Sequence, residues 1–554
     1  MDTQRLILFM LFTFSVFFLM DAWQKDRQPQ TAPALPTVPA PATATGPTAN
    51  PVPTPTQPLT RAAPAAAPPA VSGALQKGET VRVETDAYIA DIDTAGGDLR
   101  RLELLMHRDT LDHKKNFVLL QQQGEHTYVA QSGLIGNGLP NHRTSYTATE
   151  RDVRLAVGAD RVSVRLAAPL VDGLKVTKVY TFHRGSYVID FGYEVENKSA
   201  TAIQPDAYFQ IVRDSQPPAG GSAMLPTYTG MAVYTDKEKF QKVAFADVDK
   251  GKISYPKKSN DGWIALLQHY FLSAWLPANN APREFYTRRL DNGLYTAGVI
   301  LTLGSIEPGA SRALTVPLYA GPQEQDELAK LAPGLDLTVD YGWLTVIAKP
   351  LFWFLQWLHH WVNNWGIAII VLTVTIKAVF YPLSAASYRS MARMRILAPR
   401  MQKIKEQYGN DRQRLNQAMM DLYKTEKINP LGGCLPVVVQ IPVFIALYWV
   451  LLASVELRHA PFMLWIDDLS VADPYFVLPV LMGGTMIFQT YLNPEPPDPV
   501  QAKVMKIMPI AFSIMFFFFP AGLVLYWLIN NILSIAQQWQ IKRVMEHAKP
   551  AHGK

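Results

Sequence analysis

A lysine stands at position 377 inside the apolar run VTIKAVFYPL, between Ile376 and Ala378. An ionised side chain inside a membrane segment costs ~2.5–3.5 kcal/mol on insertion scales, so such a residue usually faces a cavity or the interior of a helix bundle. Read as a helix, the stretch puts Thr373 one turn away on the same face. Other apolar stretches carry polar side chains too: Gln440, Gln489, and Tyr526, Asn530 and Asn531 in the last one. Polar groups at matching depth point to a shared wet cavity. No carboxylate accompanies them, which leaves water or a transient ligand as the neighbour of Lys377. The competing reading is snorkelling, the long stem lying along apolar surface while the ammonium reaches the interface ~10 Å along the helix.

Chemistry of other kinds has no foothold. The chain contains no P-loop, no dinucleotide fingerprint, no HExxH pair and no nucleophile elbow. His107, His183 and His269 fall into no metal-ligand or catalytic spacing and read as ordinary surface and core histidines. We therefore expect no cofactor, no bound metal and no enzymatic turnover.

The elements that must hold these residues follow from composition. The 554 residues carry a net charge of +6, 42 prolines and a single cysteine, Cys434, so no intramolecular disulfide is available. Residues 1–22 contain an apolar run of about 15 residues without small residues at a cleavage site, which reads as an uncleaved anchor. Residues 23–77 are rich in Pro, Ala and Thr, a composition that buries no core and forms a semi-extended linker. Over 78–335, segments such as VRVETDAYIADID and LKVTKVYTFHRGSYVIDFGYEVENKS alternate apolar and polar residues, the signature of half-buried antiparallel strands. A large β-sandwich is expected there. Over 336–365, Trp353, Trp357, Trp361 and Trp365 recur every four residues, as an interfacial helix would place them. A buried aromatic stripe packed on the β domain is the alternative.

Five membrane segments are expected after that helix, at 366–383, 431–452, 475–492, 504–519 and 521–538. Together with the anchor they make six. The connection 386–428 carries Arg389, Arg393, Arg395, Arg400, Lys403 and Lys405 and reads as two helices turning at Gly409-Asn410. The connection 456–473 carries Glu456, Asp467, Asp468 and Asp473 against Arg458, whereas the short tail 542–554 is basic. Basic connections stay in the cytoplasm, so both termini lie inside and the β domain outside. Met391, Met394, Met401, Met419 and Met420 give the 386–428 hairpin an adaptable apolar face. It serves either to fix topology or to dock an apolar client or an acidic partner such as ribosomal RNA.

The stretches NPLGGCLPVVVQIPVFIALYWVL, ELRHAPFMLWIDDLSVADPYFVLPVLMGGTM, FPAGLVLYWLINNILSIAQQW and YPLSAASYRSMARMR closely resemble the YidC/Oxa/Alb family of membrane protein insertases, in the Gram-negative form with a large periplasmic domain. The resemblance implies a polytopic α-helical bundle with a five-helix core. It also implies a hydrophilic groove open to the cytoplasm and the lipid. In that frame Lys377 occupies the place of the usual groove arginine, keeping the charge and losing the planar fork. Thr373 and Gln440 match groove-lining positions, and Tyr526 and Trp527 match client-contact positions. The implied partners are nascent membrane proteins, the ribosome, the Sec translocon and the lipid bilayer of the inner membrane, with no specific nucleic acid. The external domain would be a supersandwich similar in shape to sugar mutarotases, which carries no implication of sugar chemistry. Two rival classes remain. A secondary transporter would show inverted repeats and broken midplane helices, and an external sugar-active enzyme would need a paired acid and base in the β domain.

Overall fold

A computed structural model describes residues 53, 76–124, 126–218, 227–252, 254–290, 292–409, 411–426, 435–492 and 499–547. The expected anchor over 1–22, nearly all of the linker and the tail beyond 547 lie outside the described residues, as do the first positions of the expected segment 431–452. The chain divides into two compact units with the boundary between Val339 and Asp340.

The first unit is built on two sheets of ten and nine strands. Strand Leu174–His183 turns Val176, Lys178, Tyr180 and Phe182 inward and its other residues outward, as its alternating sequence dictates. It pairs antiparallel with Val188–Asn197, which pairs in turn with Ser311–Pro322, so Phe191 lies between Tyr180 and Val316. The opposing sheet centres on Asp206–Arg213, between His126–Ile135 and Tyr295–Thr302. The strand pairings are antiparallel apart from Thr80–Glu84 with Asp152–Arg154. Two short helices, α1 (Phe245–Asp249) and α2 (Gln325–Leu331), flank the sheets.

Trp275 ties the core together. It is 0% exposed and meets Phe191 edge-on at 4.8 Å and Phe209 at 5.3 Å. Trp275→Ala is expected to destabilise this unit by about 3–5 kcal/mol, the usual cost of emptying a large aromatic site. Calorimetry of the full chain in detergent should show the drop, with Trp275→Phe losing much less.

One inward residue breaks the apolar pattern. Lys178 is wholly buried, and its Nζ donates to the carbonyls of Gly96 at 3.2 Å and Ser132 at 3.3 Å. The rings of Tyr146, Tyr180 and Tyr193 surround the ammonium at 5.6–5.8 Å, where their π faces attract a cation. Burial pushes the lysine's pKa down and that of the neighbouring Asp98 up.

The second unit is helical. α3 (Thr345–Val362) buries Ala348, Phe352, Leu355 and Leu358 and leaves Trp353, Trp357 and Trp361 exposed. It packs on α4 (Trp365–Val379) and α7 (Leu435–Ala453). Asn363 ends α3 in a left-handed conformation at φ 51°, and the Asn364 side chain caps α4 by accepting from the Ile367 amide at 3.0 Å. Trp365 therefore opens α4 and leaves the expected four-membered tryptophan stripe with three members.

α4 stops at Val379, short of the expected 383. Pro382 has no amide hydrogen and its ring would clash inside a continuing helix, but the first turn of a new one accepts it. α5 (Tyr381–Tyr408) starts there, bent 62° from α4, and takes up residues assigned to the membrane segment. α6 (Arg412–Thr425) follows, capped by Asp411, whose Oδ1 accepts from the amides of Gln413 and Arg414 at 3.1 Å. α8 (Val477–Leu492), α9 (Pro499–Phe516) and α10 (Ala521–His547) complete the unit, α10 packing against α4, α5, α7 and α8. α10 runs past 538, where no Gly or Pro interrupts it. Among the described residues no single helix is long and apolar enough to cross a membrane, while the bent pair α4–α5 meets that measure jointly.

The α7–α8 connection folds over one end of the bundle. The amides of Ala521 and Gly522 donate to Val471 and Leu469 at 2.7 and 2.9 Å, and the Asn364 amide donates to Phe462 at 2.9 Å. Asp473, 2% exposed, organises its exit: it accepts from Trp465 Nε1 at 2.9 Å and from the amides of Tyr475 at 3.0 Å and Leu478 at 2.8 Å.

Candidate functional site

Three helices converge on Lys377. α4 supplies it just before the bend, and α10 meets it with the face that repeats every fourth residue, Tyr526, Asn530 and Ser534. α7 brings Gln440. Lys377 is 7% exposed, and its Nζ donates to Ser534 Oγ at 2.7 Å. Ser534 Oγ donates onward to the Asn530 carbonyl at 2.7 Å, and the Gln440 amide donates to Asn530 Oδ1. The ammonium thus meets one neutral oxygen, with no ion pair among the described residues. A small cleft with room for about one water adjoins it, lined by Ile376, Lys377, Phe380, Leu383, Ser384 and Gln440.

The remaining candidates are placed differently. Thr373 is one turn from Lys377 but fully buried, its hydroxyl donating to the Ile369 carbonyl at 2.6 Å. It packs the helix rather than lining the cleft. Tyr526 is 2% exposed, with its hydroxyl near Gln440 but outside hydrogen-bond geometry. Trp527 meets Phe444 edge-on at 4.3 Å and Phe516 at 5.3 Å, half-buried between α7 and α9. Asn531 reaches Thr485 Oγ1 on α8 at 3.4 Å.

Arg389, Arg400, Lys403 and Lys405 lie exposed along α5, and Arg400 pairs with Glu426 at 2.7 Å across to the end of α6. Arg393 and Arg395 belong to the same helix, their side chains outside the description. Met401 turns inward with Leu397 against Met419, Leu422 and Tyr423, closing the hairpin on itself. Met420 remains exposed. The expected methionine face is therefore partly spent holding the two helices together.

Ser534 was absent from the residues picked out by sequence. Its signal is the spacing: it follows Asn530 by four, extending the polar stripe that begins at Tyr526. A serine hydroxyl inside an apolar helix passes as a neutral filler unless the stripe is followed to its end.

A helical unit with a buried cation beside a cleft is thus joined in one chain to a large antiparallel β unit. Residues 80–354 match the family described as the YidC periplasmic domain, and residues 357–549 match the 60Kd inner membrane protein family. The chain is 58% identical over 557 residues to the membrane protein insertase YidC of Nitrosospira multiformis, covering 99% of this chain and 98% of that protein. It is also 58% identical over 550 residues to that of Methylobacillus flagellatus, with the same coverage. Among solved structures it is similar to an active YidC insertase with its first transmembrane domain resolved, at 19% identity and a TM-score of 0.39, over 84% of this chain and 94% of that one. The chain belongs to the YidC family of membrane protein insertases.

Proposed function

We propose that this protein inserts client transmembrane segments into the inner membrane from the cytoplasm, through the cleft beside Lys377. The observation that carries the reading is a lysine buried among apolar helices, held by the Ser534 hydroxyl beside a polar chain of Asn530 and Gln440, and open to a cleft. A client helix enters lipid readily, but its polar flank must cross hydrocarbon, where unpaired polar groups cost several kcal/mol each. A wet cleft part-way through shortens that path. Lys377 attracts acidic residues of the flank, Gln440 forms the wall of the cleft, and Tyr526 and Trp527 mark the exit along which the apolar segment passes to lipid, while Thr373 supports α4 one turn away. Burial of its apolar surface and the membrane potential supply the drive, so no fuel is consumed.

In this reading the core crosses the membrane with α4, α7, α8, α9 and α10, the anchor adds a sixth span, and the basic hairpin and both termini face the cytoplasm. α8, with 16 residues, is ~24 Å long against a ~30 Å hydrocarbon core. Spans this short are accommodated by local thinning of the bilayer, which lowers the barrier to the client flank further. Arg389, Arg393, Arg395, Arg400, Lys403 and Lys405 offer a basic surface to a translating ribosome, and the Sec translocon is a second partner at the bundle. Proteoliposomes test the reading: the purified chain should insert a client that empty liposomes of the same lipids leave outside. Equal insertion in both sinks it.

α3 lies in the interface. A spin label at Trp357→Cys, with Cys434 replaced by serine, is expected to collide with oxygen and with an aqueous nickel complex to comparable degrees, as headgroup depth requires. A purely aqueous signature contradicts this placement.

A further inference from the structure

We infer that Ser534 is a positioning residue that holds the Lys377 ammonium against α10 in the resting protein, so that a client carboxylate must win the ammonium from the Ser534 hydroxyl. This deepens the groove reading above and rests on it. The serine is placed for the task from three sides. Its Oγ accepts from Lys377 Nζ at 2.7 Å and donates to the Asn530 carbonyl at 2.7 Å, so its one proton is committed and a lone pair faces the lysine. Tyr388, from α5 beyond the bend, lies close to the same side chain. The Gln537 amide reaches the Lys377 backbone carbonyl at 3.5 Å, a second tie between the same helices. Ser534 is 5% exposed, so water does not readily replace it as the lysine's partner.

An ammonium has three N–H groups and the serine takes one. The other two offer only a first contact to a ligand entering the cleft beside Ile376, Phe380 and Gln440, and for the ammonium to follow the client off α10 the serine bond must break. A carboxylate is a stronger acceptor than a hydroxyl, so an acidic client flank displaces the serine and a neutral one does not. The resting bond thereby acts as a threshold, keeping the cation from neutral polar segments and yielding it to anionic ones.

The test uses the full chain in proteoliposomes and a small membrane-permeant acylating reagent, with modification of Lys377 followed by peptide mass spectrometry. Ser534→Ala is expected to speed labelling of Lys377 about tenfold relative to wild type, the ratio that loss of one hydrogen bond to a charged group sets, with labelling of exposed Lys403 unchanged. Ser534→Thr, which keeps the hydroxyl, should label at the wild-type rate. Half-saturation for an acidic-flank client should fall in Ser534→Ala. Equal Lys377 labelling in wild type, Ser534→Ala and Ser534→Thr overturns the inference, as does acceleration by Ser534→Thr equal to that by Ser534→Ala. The groove reading fails separately: if Lys377→Ala inserts acidic-flank clients as well as wild type, the ammonium has no client role, whatever the labelling rates.

Discussion

Lys377→Glu is expected to cut insertion of a client with two acidic residues in its translocated flank by more than tenfold, while a client whose flank carries lysines instead inserts at least as well as before. The wild-type ammonium has neutral hydrogen-bond partners only, so an arriving carboxylate gains a charge-assisted bond worth about 1.5–3 kcal/mol. Tenfold corresponds to 1.4 kcal/mol, and charge reversal replaces that attraction with repulsion in a partly desolvated site. Lys377→Arg should retain most activity, since the charge survives and Ser534 can accept from a guanidinium as it does from an amine. Insertion measured by protease protection in proteoliposomes checks all three. Equal handling of acidic and basic flanks by Lys377→Glu would show that the lysine's charge plays no part.

Asp473→Ala is expected to destabilise the helical unit by about 2–4 kcal/mol, combining a lost helix cap with buried donors left unpaired. Three donors converge on that carboxylate, from Trp465, Tyr475 and Leu478. Beside it Phe476 is held at φ 57°, a left-handed conformation that costs a side-chain-bearing residue ~1–2 kcal/mol. The hydrogen bonds to Asp473 hold that turn and start α8. Without them the connection that pairs with Ala521 and Gly522 should loosen, giving faster amide exchange over 469–478 and a lower Tm. Asp473→Asn keeps an acceptor and should fall between. Unchanged exchange there would mean that Trp465 and the backbone pairing hold the connection unaided.

Much of this architecture can be read from residue order because the signals are periodic. Strict alternation over 174–183 places Val176, Tyr180 and Phe182 inside, and long apolar runs mark the helices. What escapes is set by tertiary partners. Lys178 follows the inward period, yet nothing in the chain order announces the tyrosine rings and carbonyls that accept its ammonium. The bend before Pro382 was locally signalled, but the apolar run continues through it and hides the break. Thr373 and Lys377 share a face by spacing, and the difference between them is rotamer choice: the threonine hydroxyl turns back to its own helix, while the longer lysine reaches α10. For the site itself, the lysine was legible because charge in an apolar run is costly. Ser534 was not, because a hydroxyl in such a run costs little and its role exists only once α4 and α10 are side by side.

The most direct measurement is photocrosslinking of a ribosome-stalled nascent membrane protein to a probe replacing Gln440 at the cleft, with a second probe replacing Ile510 on α9, which is 54% exposed. Client adducts at Gln440 and not at Ile510, reduced when Lys377→Glu is introduced with an acidic-flank client, are the predicted result. Adducts at Ile510 alone, or equal adducts at both positions indifferent to Lys377, would contradict passage through the cleft.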